Sequence, residues 1–310
     1  MNHIRTSEIV LSGLDGGNPL AFLAALGATI TATAIWPETL IYWQLEVGGW
    51  RPVLVNCESD KEVFLQKLHA ALKEASMTVF DLDDKLPFAA EKFIAALRAS
   101  ARQCTPSNRR EADFLTGMGT DMYPEQEKNK IGVFQDTSLR MVRSGDSNGQ
   151  GLPAYAKAIR QITKIEHLDQ ALFQQWDYRD GYFSLRWDPI EDQRYALRWD
   201  NPSNSEKKIV IGANSLAIEA LQLLPTAPVG TECRTTGFHD EKGRGTFFTW
   251  PIWTVKIGIN TIRSLLAYPG LHQSELPHED LSAMGVAAVY RSQRIRPNQY
   301  YSNFAPPHPV

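Results

Sequence analysis

Leu14-Asp15-Gly16-Gly17-Asn18-Pro19-Leu20-Ala21-Phe22-Leu23-Ala24-Ala25-Leu26-Gly27 is the stretch whose reading decides the fold. An extended apolar run, Ile9-Val10-Leu11, leads into the glycine turn. Asn18 then offers a side-chain oxygen to the unpaired amides of an apolar helix, and Pro19 suits its first position because the missing N–H costs nothing there. The glycines also leave helix N–H groups facing outward, a geometry that can hold an anion such as a phosphate. A plain domain opening and an anion cradle are both compatible with this segment.

Outward from it, the pattern is mixed. Leu40–Val47 and Trp50–Val55 flank Gly48-Gly49 and read as a β-hairpin. Helices are predicted over Asp60–Glu74 and Phe88–Arg102 from their apolar stripes. Between Cys104 and Gly151 the periodicity weakens and the segment reads as loop-rich. Two short helices follow, Leu152–Lys164 and Glu166–Gln174, then strands at Tyr182–Trp187, Tyr195–Trp199, and Cys233–Phe238 with Thr246–Trp253. A helix over Asn214–Leu223 lies between those pairs and is ended by Pro225. Without regular βαβ alternation, the expected class is α+β: mixed helices and mainly antiparallel strands with a protruding β-hairpin. Three regions are expected: an α+β region over 1–105, a loop-rich and helical region over 106–175, and a strand-rich region over 176–310 containing helix 214–223 and a basic C-terminal tail.

With 310 residues, 43% hydrophobic and 22% charged, the chain has the composition of a folded globular protein. Its net charge of −3 excludes coating a nucleic acid by bulk charge, so any such contact must come from local clusters. Cys57, Cys104 and Cys233 are odd in number and far apart, giving neither a disulfide framework nor a zinc spacing. The first residues lack a long apolar run, and the helix from Pro19 is too short and too broken by Thr and Gly to span a bilayer. The expected location is cytoplasmic, with no membrane partner.

Three segments carry candidate binding residues. The loop Ser144–Gly151, with Asn148, precedes a helix whose first turn holds Pro153, so its amides could cradle a phosphate. It lacks the Gly-Lys-Ser ending of a nucleotide-binding loop, and Arg140 and Arg143 beside it, with Arg109-Arg110, add positive charge. The second is the hairpin Thr235–Phe248, whose tip carries Lys242 and Arg244, as a β-finger entering a groove or fork would. Asp240 and Glu241 partly offset that charge, and a solvated turn is the alternative. The third is the tail. From Leu281 to Val310 there is no Asp or Glu, while Arg291, Arg294 and Arg296 lead into Tyr300, Tyr301 and Phe304. Charge to hold a backbone and rings to stack on bases are what single-strand binding needs, though a protein contact would use the same residues. On a straight strand Arg294 and Arg296 share a face and Arg291 takes the other.

For catalysis the sequence offers little. The seven histidines show no HExxH or HxH spacing, and no metal or cofactor is implied. Asp188 and Asp192 fall in a turn between predicted strands. His239, near Lys242 and Arg244, could act as a general base in metal-free RNA cleavage.

The opening Leu14–Gly27 stretch resembles the amino-terminal signature of proteins encoded with CRISPR type I-G (formerly I-U) systems. Trp176-Asp177-Tyr178, Ser184–Pro189, Arg194–Leu197, Gly212–Ala217, Thr235–Phe238 and Phe248–Trp253 look like the same group, so the likeness spans nearly the whole chain. Within it, the chain is most similar to the large-subunit-like component of the surveillance complex, a family sometimes found as an extension of the helicase-nuclease. The resemblance implies a non-catalytic subunit of an RNA-guided antiviral complex that contacts target DNA, reads a short flanking motif and stabilises opened strands. Its partners would be guide RNA, target DNA, the other subunits and the helicase-nuclease. Lys242 and Arg244 would then meet the duplex or fork, with Arg140, Arg143, Arg291, Arg294 and Arg296 on phosphates. The chain is short for a large subunit and slightly acidic. A guide-RNA processing endoribonuclease using His239 and a protein-only scaffold or regulatory subunit are the alternatives.

Overall fold

Asn18 is extended (φ −97°, ψ 127°), and its side-chain oxygen accepts hydrogen bonds from the amides of Leu20 and Ala21 at 2.8 and 3.1 Å. Helix α1, Pro19–Ile35, therefore begins where the sequence places it, with its first free amides already satisfied. The computed structural model describes residues 7–122, 134–141, 151–191, 208–230, 232–296 and 301–310. An α-helix apolar on every side has to be buried on every side. Around α1 are strands β1 (Glu8–Val10), β2 (Leu40–Glu46) and β3 (Gly49–Val55), antiparallel in the order β1-β3-β2, with Gly48 and Gly49 at positive φ in the β2–β3 turn. Phe22 of α1 packs against Trp43 of β2 at 5.9 Å between ring centroids, and against Trp250 and Trp253 of strand β11 (Gly245–Trp253) at 6.0 and 6.3 Å. On another side α1 crosses helix α7 (Ile211–Glu219) so closely that a Cβ built on Gly27 would lie 1.8 Å from the carbonyl oxygen of Leu216.

Helices α2 (Lys61–Glu74), α5 (Leu152–Ile162) and α6 (Ile165–Phe173) pack on this pair, α4 (Arg110–Met118) packs on the turn that ends α7, and α3 (Ala90–Gln103) packs on α4. Two-residue ladders join β4 (Gly119–Thr120) to β5 (Gln135–Asp136) and β6 (Asp180–Gly181) to β7 (Lys208–Ile209). Strands β8 (Thr226–Val229) and β9 (Glu232–Thr235) form a separate ladder. The second sheet runs β10 (Phe238–Glu241), β11, β12 (Val286–Ile295) and β13 (Asn303–Phe304), all antiparallel, and β14 (His308–Pro309) also pairs with β12. Helices α8 (Ile259–Leu266) and α9 (His278–Ala283) fill the connection between β11 and β12. This is an α+β fold. One contiguous apolar cluster draws residues from all three sequence regions, among them Phe64, Leu115 and Trp187. Among the described residues, no helix is long and apolar enough to cross a membrane.

Part of the buried charge is gripped in ion pairs. Glu219 at the end of α7 accepts from both Arg160 of α5 and Arg110 of α4. Burial alone would raise its pKa, but the two guanidiniums outweigh that and hold the carboxyl down at about 2.

Three sequence expectations change. The loop-rich stretch after Cys104 contains α4, whose Phe114, Leu115 and Met118 are buried on one side. Tyr182–Trp187 is not a strand: Arg186 takes a positive φ of 62°, the Ser184 hydroxyl accepts from its amide, and Trp187 donates its ring N–H to the Leu139 carbonyl. Cys233–Thr235 pairs with β8, leaving β10 to pair with β11. The strand expected at Tyr195–Trp199 lies outside the described residues.

Gly27→Ala places a methyl group against the backbone of Leu216. The expected result is a loss of about 2 to 3 kcal/mol in urea denaturation, because two packed backbones cannot separate without opening the core.

Candidate nucleic-acid interface

The β10–β11 hairpin is closed by Lys242-Gly243-Arg244, with Gly243 at φ 77° and the Arg244 amide bonded to the Glu241 carbonyl at 2.9 Å. β12 runs antiparallel to β11, with Phe247 opposite Gln293 and Thr249 opposite Arg291, so its C-terminal end comes back to the hairpin tip. There the Gln293 side-chain amide donates to the Arg244 carbonyl. Arg294, opposite Phe304 of β13, donates to the Arg140 carbonyl at 3.0 Å. Strand register thus brings Lys242, Arg244, Arg294 and Arg296 to one end of the sheet, with Arg244 on the Phe247 face and Arg294 on the other, and the Arg294 hydrogen bond ties Arg140 to that end. Lys242, Arg244 and Arg296 are exposed, Arg294 is half-buried, and Arg140 is ion-paired with Asp136. The Arg244 guanidinium also lies 5.5 Å from the centroid of the Phe247 ring. Nearby, the Arg186 guanidinium covers the Tyr301 ring at 4.1 Å, two residues before β13.

Arg291 does not belong to this surface. Strand alternation turns it away from Arg294 and onto the face it shares with Phe247, Glu241 and the Arg244 guanidinium, but there the turn Pro269–His272 covers it, and its side chain is 5% exposed. Its donors are committed inside: to Thr249 Oγ1 at 3.1 Å, Glu241 Oε1 at 2.9 Å and the Gln273 carbonyl at 2.7 Å. Glu241 is likewise not a solvated offset to the tip, since it is buried and accepts from Arg291 and, at 2.7 Å, from Arg244. Arg109 pairs with Asp113 and Arg110 reaches inward to Glu219, so neither adds free charge. Arg143, Asn148 and Tyr300 lie outside the described residues.

His239 is not an exposed loop residue but part of β10, 4% exposed, with Nε2 3.4 Å from Glu241 Oε1 and its ring stacked on Phe247. Its ring centroid is 6.2 Å from that of His272, and Nδ1 of each is buried without a hydrogen-bond partner. Burial first, then the charge of Arg291, lowers the pKa of His239 against the pull of Glu241. Burial and then His239 push His272 down to about 4. Both rings are neutral at pH 7, and His239 is closed off from a substrate.

The anion cradle at the α1 N-terminus is also spent. Asn18 occupies the free amides, and its own Nδ2 donates to the buried Asp188 at 3.1 Å, which places a carboxylate where an anion would come. Asp81-Leu82-Asp83 has the spacing of a metal-binding pair, but Asp81 is bonded to Lys157 at 2.6 Å, and no group of three or more metal-ligating side chains forms among the described residues. Gly145-Asp146-Ser147-Asn148-Gly149 has the spacing of a nucleophile elbow and lies outside the described residues. Comparison with family models, curated proteins and solved structures gave no match.

Removing the buried partner and removing the exposed one should differ. Glu241→Ala leaves Arg291 unpaired in the interior and is expected to cost about 3 to 5 kcal/mol, whereas Arg244→Ala costs about 1 kcal/mol or less, both read by chemical denaturation. The histidines set a pH window. Because folding lowers the pKa of His272, the unfolded chain takes up a proton first as pH falls below about 6.5, and stability is lost down to about 4. Denaturation at pH 7 and pH 5 should show this loss, and His272→Gln should reduce the difference between them.

Proposed function

We propose that this protein is a non-catalytic subunit of an RNA-guided CRISPR effector complex, and that it lays the cationic end of the β10–β13 sheet against target DNA. The supporting observation is the exposure of Lys242, Arg244 and Arg296 at that end, with the half-buried Arg294 and the ion-paired Arg140 beside them, in a chain whose net charge is −3. Such a cluster neutralises phosphates locally, which is the sequence-independent part of nucleic-acid affinity. In an RNA-guided assembly base pairing supplies target sequence, so a subunit needs to meet only backbone shape and a short flanking motif. The complex itself is assigned on the sequence resemblance, with guide RNA, neighbouring subunits and the helicase-nuclease as partners in the cytoplasm. An endoribonuclease built on His239 is less well supported, because a general base has to reach the proton it removes.

The test is fluorescence anisotropy of the reconstituted complex on target DNA at several salt concentrations. Lys242→Ala with Arg244→Ala is expected to weaken binding and reduce the salt slope by about two, one for each lost phosphate contact. Equal affinity and slope for the variant and the parent would reject the interface.

A further inference from the structure

At the N-terminal end of α1 a cleft of ≈ 500 Å³ opens, lined by Asp15, Asn18, Arg51, Gln174, Trp176 and Tyr178 among others. Its two opposite charges are held in place without being spent on each other. Arg51 on β3 gives one Nη1 hydrogen bond to the Leu14 carbonyl at 2.8 Å, and Asp15 Oδ1 accepts from the Gly17 amide at 3.0 Å. Among the described residues, neither enters an ion pair, and Asp15 Oδ2 carries no hydrogen bond. The wall is aromatic. Trp176 and Tyr178 meet at 82° with centroids 6.2 Å apart, offering one face and one edge. Both are fixed: Trp176 donates to the Ala171 carbonyl at 3.0 Å, and Tyr178, at a positive φ of 52°, donates to the buried Asp188 at 3.0 Å. A non-glycine residue held in the left-handed region persists only where its surroundings over-determine it, and such residues concentrate at ligand sites.

A simple cation would meet Arg51, and a simple anion would meet Asp15 with Asp188 behind it. A ligand that suits the cleft carries an anionic group, paired N–H donors and a flat ring. A free amino acid answers both charges but leaves most of the volume unfilled. The geometry points to a guanine-nucleotide site: the Asp15 carboxylate accepts from the N1–H and N2 amino group of guanine, the base lies against Trp176 and Tyr178, and Arg51 meets the phosphate. A carboxylate favours guanine because, where guanine presents its N1–H and N2 amino donors, adenine presents the N1 acceptor and a C2–H. The volume is in the range of small-molecule sites. The same chemistry is found in a free nucleotide and in the terminal guanosine of a strand.

Isothermal titration of the whole chain with GMP, AMP and guanosine, and with 5′-phosphorylated oligonucleotides beginning in guanosine or adenosine, tests this. GMP, the guanosine-ended strand or both should bind at least tenfold more tightly than the adenine counterpart. Binding of GMP alone assigns a free nucleotide, and binding of the strand alone assigns a strand end. Asp15→Asn keeps the acceptor for the Gly17 amide and should abolish the guanine preference. Arg51→Gln should weaken the phosphorylated ligand about tenfold and leave guanosine unchanged. Equal binding of guanine and adenine forms, no binding of either at millimolar concentration, displacement by a free amino acid, or a preference that survives Asp15→Asn would each overturn the site. The site is independent of the sheet end, so the Lys242→Ala and Arg244→Ala chain should bind GMP as the parent does.

Discussion

Complete burial of α1 is the constraint on which the rest of this structure depends. A helix with apolar residues on all faces cannot leave any end group unsatisfied, so its start requires Asn18 and its surroundings require partners on every side. The first sheet, the second sheet and α7 supply those partners, and Phe22 touches aromatic rings from both sheets. Gly27 exists at the crossing with α7 because no side chain fits there. Asn18 and Gly16 then link this helix to the cleft and to the second sheet. Asn18 holds Asp188, which holds Tyr178 beside the cleft, while the Gly16 carbonyl accepts from the Trp250 ring N–H of β11.

Charge in this molecule is divided between interior and rim. Glu219 with Arg160 and Arg110, and Glu241 with Arg291, are gripped inside, where losing one partner strands the other in a medium of low polarity. The cationic charge left exposed is smaller than the sequence count implies, and strand register brings Lys242, Arg244 and Arg296 to one end of the second sheet. β12 alone carries both kinds of arginine: Arg291 is sealed under the turn before α9, and Arg294 lies one pleat along on the other face.

The fold class, the start of α1 and the β2–β3 hairpin were legible in the sequence because each rests on short-range chemistry: a cap, a proline, a glycine pair between alternating strands. The opposite facing of Arg291 and Arg294 followed from the strand period. The burial of Arg291 did not, since it depends on a turn more than fifteen residues upstream folding over that face. The same holds for His239, which local composition places in a loop and the β10–β11 register places in a strand. α4 was hidden by the polar residues around it, although Phe114, Leu115 and Met118 mark one face. The cleft at Asp15 and Arg51 joins residues from the first strand-turn-helix unit, a hairpin strand and the segment after α6, a juxtaposition no local pattern reports.

β12 is bordered on its outer side by β13 and β14, and the Val310 amide closes the ladder on the Val289 carbonyl at 2.9 Å. These last residues act as a selvedge on the cloth of the second sheet. Clipping them would bare a row of unpaired amides and carbonyls along a long strand, which is a template for chain-to-chain aggregation.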